Sequence, residues 1–127
     1  MTWRIHHIGY VVADIEGYAS GFPGAVLENT AYDPLQDAQL AVYTVSDGAR
    51  LEFIRPSGPQ SFTWGFLQRS GSGLHHVCYE GLDLAEVDKA IREHRMLKLR
   101  GPMPAVLFGR DVVFAMTRHK AIVEFLL

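Results

Sequence analysis

One cysteine, Cys78, is too few for an intramolecular disulfide, which excludes a cross-linked scaffold and is compatible with a reducing compartment. Its setting in an apolar, strand-like run marks it as a core side chain. An excess of either charge is also missing. Twelve Lys and Arg stand against 14 Asp and Glu, dispersed along the chain, for a net charge of −2 with the histidines neutral. That balance provides no basic footprint for nucleic acid or an anionic membrane surface, and directs attention to a small-molecule substrate or a protein partner. No apolar run approaches the roughly 20 residues that span a bilayer. The stretch Met1 Thr2 Trp3 Arg4 Ile5 His6 has no charged region leading into a long apolar one, so a cytoplasmic protein is expected. Disorder-prone composition is absent too, with 48% hydrophobic and 20% charged residues. A chain of 127 residues is expected to form one domain, 1–127.

What the chain does contain is a repeat. Ile5 His6 His7 Ile8 Gly9 Tyr10 returns as Leu74 His75 His76 Val77 Cys78 Tyr79, and Asp14 Ile15 returns as Asp83 Leu84, both displaced by 69 positions. Each half also closes alike, on Leu51 Glu52 Phe53 Ile54 and on Val123 Glu124 Phe125 Leu126. Two similar modules therefore share one core, module one over about 1–56 and module two over about 74–127, joined by a linker and short helix over about 57–73.

In chain order, Trp3 to Val12 reads as a strand, rich in β-branched and aromatic residues. Asp14 caps a helix that ends by Gly21 to Gly24, where Phe22 Pro23 Gly24 cannot continue it. Ala25 to Thr30 and Ala38 to Val45 read as strands with a polar loop from Tyr32 to Asp37 between them. Ser46 Asp47 Gly48 Ala49 is a hairpin turn, because Asp-Gly tolerates positive φ, and Arg50 to Arg55 is the next strand. After Pro56 to Ser61 comes a short helix, Phe62 to Arg69. The second half then restarts with a strand at Leu74 to Tyr79. A helix from about Leu84 to His94 follows, capped by Asp83, with Leu84, Val87, Ala90 and Ile91 on one face. Met96 to Leu99 is a short strand, Arg100 to Gly109 a loop with two prolines, and Asp111 to Thr117 and Ala121 to Leu127 are the last strands. Each half reads strand, helix, three strands, an α+β arrangement whose exposed apolar sheet face calls for pairing of the two modules.

Strand alternation sorts the functional residues. Ile5, His7, Gly9 and Val11 share one face, and His6, Ile8, Tyr10 and Val12 the other. His7 lies beside the space that Gly9 leaves, and His76 is its equivalent. Glu52 and Glu124 each sit between apolar neighbours and point away from them. Two imidazoles and two carboxylates converging on one cavity suit a divalent ion of the zinc, nickel, cobalt, iron or manganese type with positions left for substrate. Such an ion polarises a carbonyl while a carboxylate moves the adjacent proton. A plainer reading also exists for each residue alone: a packed or exposed histidine, and an outward glutamate on a half-solvated sheet. Repetition of both residue types at matched positions is what argues for a site. Arg110, in the loop before a strand, is a candidate for binding a substrate phosphate or carboxylate, or else a solvated loop residue.

The run Phe66 Leu67 Gln68 Arg69 Ser70 Gly71 Ser72 Gly73 Leu74 His75 His76 Val77, together with His6 His7 Ile8 Gly9 and Leu51 Glu52 Phe53 Ile54 Arg55 Pro56, resembles the vicinal oxygen chelate superfamily of glyoxalases, methylmalonyl-CoA epimerases and bleomycin resistance proteins. The resemblance covers essentially the whole chain. It implies paired βαβββ modules forming a cupped, mixed sheet around a metal, with His7, Glu52, His76 and Glu124 as ligands. It further implies a homodimer and a metal-dependent isomerase, epimerase or lyase that moves a proton next to a carbonyl or thioester, with Glu124 and Glu52 as the catalytic carboxylates. Similar epimerases carry a base in the loop before the third strand, where this chain reads Leu35 Gln36 Asp37. Gln36 is a poor base and is expected to contact substrate instead, leaving proton transfer to Asp37 or a metal-bound glutamate. The alternative from the same resemblance is a non-catalytic ligand-binding or antibiotic-resistance module.

Overall fold

The computed structural model describes residues 3–127. Module one contributes β1 (Arg4–Val11), α1 (Ile15–Ala19), β2 (Val26–Asp33), β3 (Ala38–Thr44) and β4 (Arg50–Pro56). A connecting helix α2 (Trp64–Ser70) leads to module two, which comprises β5 (Gly73–Glu80), α3 (Leu84–Glu93), β6 (Leu97–Ala105), β7 (Arg110–Met116) and β8 (Ile122–Leu126). All eight strands form one mixed sheet in the order β2-β3-β4-β1-β5-β8-β7-β6. β1 and β5 meet antiparallel at its centre, while β1 pairs parallel with β4 and β5 parallel with β8. The expected pair of βαβββ modules in one mixed sheet is therefore observed.

Local chemistry explains the element boundaries. The Asp14 carboxylate accepts the Gly17 N–H at 3.1 Å and starts α1, and Asp83 and Glu86 cap α3 reciprocally. At the hairpin between β3 and β4, Asp47 and Gly48 both take positive φ, 70° and 77°. Each helix covers the same side of its half of the sheet. α1 packs with Val12, Leu51 and Phe53, and α3 lays Val87 and Ile91 on Val113, Val123 and Phe125. On the opposite, concave side, Val11, Leu40 and Ile54 gather under Phe66 and Leu67 of α2 and under Leu107. Cys78 is fully buried among Val112, Phe114 and Leu126 on this same side.

Two expected loops are strand in part. Tyr32 and Asp33 extend β2 by pairing with Gln39 and Ala38, which shortens the loop to a turn. β6 runs through Arg100 to Ala105 despite Pro102 and Pro104. It is an edge strand, where a missing N–H on the solvent side costs no ladder bond, and its register shifts between Arg100 and Met103. Gly101 there has φ of 94°, and a Cβ would press against the Val112 carbonyl.

Candidate metal centre

The two central strands carry matching irregularities. In the β1–β5 ladder, Ile5 pairs with Tyr79 and His7 with Cys78, which leaves His6 as an extra residue on β1. Further along, Gly9 pairs with His76 and Tyr10 with Leu74, which leaves His75 as an extra residue on β5. Each is a β-bulge, and a bulge suspends the alternation that sends adjacent side chains to opposite faces. His6 therefore does not join Ile8 and Tyr10 on the helix side as alternation predicts. It is buried against Phe108, and Ile5, expected beside His7, is exposed. From Ile8 onward the expected alternation holds.

The neighbouring strands supply the carboxylates. β4 places Glu52 opposite Gly9, and β8 places Glu124 opposite Cys78. His7 Nε2 lies 3.3 Å from Glu52 Oε1 and 3.0 Å from Glu124 Oε1; His76 Nε2 lies 3.3 and 3.1 Å from the same atoms. The two Nε2 atoms are 3.1 Å apart, and all four side chains are buried. Gly9 is essential to this packing, since a Cβ at that position would fall inside the His76 ring. Phe108 stacks on His7 at 5.0 Å and Phe114 meets the edge of His76 at 5.7 Å, shielding the cluster from water.

The donor set fits a divalent transition ion. Ligand bonds of about 2.0–2.2 Å at tetrahedral or octahedral angles set neighbouring donors roughly 2.8–3.6 Å apart, a range that includes the contacts seen. Glu124 Oε1 is buried and accepts no hydrogen bond, although two imidazole nitrogens lie near it. Four buried donor atoms converging this closely suit a cation. The electrostatics agree. Burial pushes the His7 imidazole down, yet the Glu52 carboxylate and the close polar neighbours Cys78 and Glu124 carry its pKa up to about 12. His76 is also raised, Glu124 overcoming its burial. Burial opposes ionisation of Glu52 and Glu124, but the imidazoles hold both well below the usual carboxylate range, Glu52 at about 2. The cluster is thus two carboxylates that retain positive charge between them.

Outside the four donors lie two more imidazoles. His6 Nδ1 is 2.9 Å from His7 Nδ1, and His75 Nδ1 is 2.9 Å from His76 Nδ1. Burial, followed by the charge of the adjacent histidine, lowers both outer pKa values to about 4, so these rings are neutral. Cys78 is pushed up to about 12 by burial and by Glu124, and remains a thiol.

A cavity of about 390 Å³ opens on the concave side beside the cluster, lined in part by Ile54, His75, Phe114 and Ile122 from the sheet, and by Phe62, Arg69 and Arg100 at its rim. Gln36 also lines it, held in place by donating Nε2–H to the buried Asp33 carboxylate at 2.9 Å. Asp37, the other loop candidate, accepts the Tyr32 hydroxyl at 2.6 Å and does not line this cavity. Arg110 departs from expectation. Its guanidinium donates to Glu80 at 3.0 Å and to the Leu126 and Leu127 carbonyls, so it ties β7 to the ends of β5 and β8 rather than facing the cavity. Asp33 and Arg100 carry no spacing signal in the sequence, being isolated charges near Pro or Gly, and Arg69 stands there only as part of the run before β5. His6 and His75 were visible as doubled histidines, but only the bulges turn them inward.

A cupped sheet of two βαβββ halves closing on two imidazoles and two carboxylates defines a paired-module scaffold whose central cluster could hold a metal ion. The chain belongs to the Glyoxalase/Bleomycin resistance protein/Dioxygenase superfamily, whose family model matches residues 6–114. It is similar to mitochondrial methylmalonyl-CoA epimerase of Mus musculus, with 29% identity over 87% of this chain and 64% of that protein, so it spans about two thirds of that relative's length. It is also similar to ethylmalonyl-CoA/methylmalonyl-CoA epimerase of Cereibacter sphaeroides, with 24% identity over 90% of this chain and 88% of that one. Among solved structures, a Streptomyces coelicolor methylmalonyl-CoA epimerase variant in complex with 2-nitronate-propionyl-CoA superposes with a TM-score of 0.81 at 22% identity, covering 97% of this chain and 95% of that one.

Proposed function

We propose that the protein is a divalent-metal-dependent epimerase that inverts the carbon next to the thioester carbonyl of an acyl-CoA of the methylmalonyl type. The observation that carries this reading is the convergence of His7 Nε2, His76 Nε2, Glu52 Oε1 and Glu124 Oε1 in one buried cluster. The epimerase relatives support the substrate class. When bound, a divalent cation polarises the substrate carbonyl and so acidifies the neighbouring C–H. His7 and His76 hold the cation through Nε2. Phe108 and Phe114 exclude water, which strengthens every charge interaction inside. Glu124 Oε1, with no hydrogen bond to satisfy it, takes the α-proton from one face of the carbon. Glu52 delivers a proton to the opposite face, which completes the inversion. Gln36, fixed by Asp33, is a polar contact for substrate at the cavity wall.

A second reading is favoured by Asp37. Because its carboxylate serves Tyr32, the carboxylates available to the cavity come from the cluster side, and a proton transferred on one face is what a glyoxalase-type lyase needs. Two copies of the chain and a cytoplasmic setting belong to the same proposal. Exposed Val26 and Leu27 on edge strand β2 and Leu97 on edge strand β6 support a partner copy.

The test is to incubate chelator-stripped protein, restored with cobalt, zinc, nickel or manganese, with methylmalonyl-CoA in deuterated water. Equilibration of the two epimers with deuterium entering the α-carbon is expected. Conversion of a glutathione hemithioacetal without epimerisation would select the lyase, and neither reaction with any metal would select the ligand-binding module.

A further inference from the structure

Four histidines stand at the centre of the sheet, and the metal reading uses two of them. The others, His6 and His75, are the inserted residues of the two bulges, each with Nδ1 2.9 Å from Nδ1 of the histidine that follows. Consecutive residues of a regular strand cannot make such a contact, because their side chains leave from opposite faces. Both bulges serve the same end.

A contact between two Nδ1 atoms needs one donor and one acceptor. A neutral imidazole whose Nε2 lone pair faces a cation carries its proton on Nδ1, so His7 and His76 must donate, and His6 and His75 must accept. We propose that His6 and His75 are positioning residues: each accepts the Nδ1–H of the next histidine and thereby fixes Nε2 as the atom turned to the metal. This inference rests on the metal reading above. Outer partners of metal-bound histidines are commonly carboxylates, backbone carbonyls or water. A neutral imidazole in that place adds no charge, so the two carboxylates of the cluster match a divalent cation in a buried site where surplus charge is costly. His6 is itself held, since Arg50 donates to its carbonyl at 3.3 Å and Phe108 meets its ring at 4.8 Å. Phe66 meets the His75 ring at 5.0 Å.

A competing use of His6 is visible. His6, His7 and Cys78 also bring one donor each within 4.8 Å of one another, as a second ion would require. The second half argues against it. There the same 2.9 Å imidazole pair recurs with Gly9 across from His76 in place of a cysteine, so the feature common to both halves is the hydrogen bond.

The experiment compares His6→Asn and His75→Asn, which keep a neutral acceptor near the Nδ1 position, with His6→Leu and His75→Leu, which remove it. Competition titration with zinc is expected to show affinity lowered about 10- to 100-fold in the leucine variants and restored to within a few fold in the asparagine variants. In the unaltered protein, nitrogen-15 spectra of the imidazoles are expected to show a proton on Nδ1 of His7 and His76, with and without zinc. Leucine variants that fold and bind zinc as tightly as the unaltered protein would overturn the proposal. So would asparagine variants as impaired as the leucine ones, an unprotonated Nδ1 on His7, or a second zinc ion bound through Cys78. If no variant folds, the Nδ1 protonation of the unaltered protein still decides. If the unaltered protein binds no metal, the epimerase reading fails and the metal-free spectrum judges the hydrogen bonds separately.

Discussion

The two halves of the molecule are alike where they touch the cluster and unlike where they do not. Each central strand has a bulged histidine, then a donor histidine, and each partner strand brings a glutamate. Their helices differ: α1 is five residues with a single cap bond, whereas α3 is ten with a reciprocal capping box. The residues facing the donors differ as well, Gly9 across from His76 and Cys78 across from His7. The two halves thus share the geometry that brings the four side chains together and differ in the scaffold around them. Gly9 is the exception that links the two, a scaffold position that only the smallest residue can fill.

The largest expected effect breaks that asymmetry. Gly9→Ala drives a methyl into the His76 ring, so loss of bound metal and of activity is expected, with at least about 2 kcal/mol of destabilisation. Cys78→Ala in the other half is expected to cost about 1 kcal/mol and to retain the metal. Elemental analysis and melting curves of both variants check this; equal metal retention would mean the halves are interchangeable at these positions.

Next in size is the contrast between the glutamates. Glu124→Gln is expected to lower turnover by about 10²- to 10⁴-fold, with a smaller loss for Glu52→Gln. Steady-state kinetics with metal saturating would reveal a reversed order, which would assign the abstraction to Glu52.

A pH profile separates inner from outer histidines in the chelator-stripped protein. His6 and His75 have lowered pKa values, so below about pH 6.5 the unfolded chain binds protons that the folded one refuses, and stability falls with pH toward 4. His7 and His76 have raised pKa values, so above about pH 6.5 the unfolded chain releases protons that the folded one keeps, and stability falls as pH rises toward the folded values. A melting temperature that peaks near pH 6.5 is expected. His6→Asn should flatten the acid limb alone.

The smallest effects concern the helices. Asp83→Ala is expected to cost about 1–2 kcal/mol because two cap bonds are lost, and Asp14→Ala about 0.5 kcal/mol because α1 is a single turn. Urea midpoints would distinguish them.

The sequence by itself determined the paired modules, since the 69-residue repeat of His-His, Asp and Glu positions can close on itself only through matched strands. It also marked which residues reach the buried cluster, because strand alternation from Ile8 onward and the apolar flanks of Glu52 and Glu124 set their faces. Tertiary structure alone decided the rest. A bulge exists only relative to a partner strand, so the inward turn of His6 and His75 had no local signal. Prolines that suggest a loop are tolerated in β6 because the sheet ends there. Arg110 lies against Glu80 and the carbonyls of β8, a set of partners fixed by strand order rather than by its neighbours in the chain. Residue identity provides donors and acceptors; which of them meet depends on register, and register is a property of two strands at once.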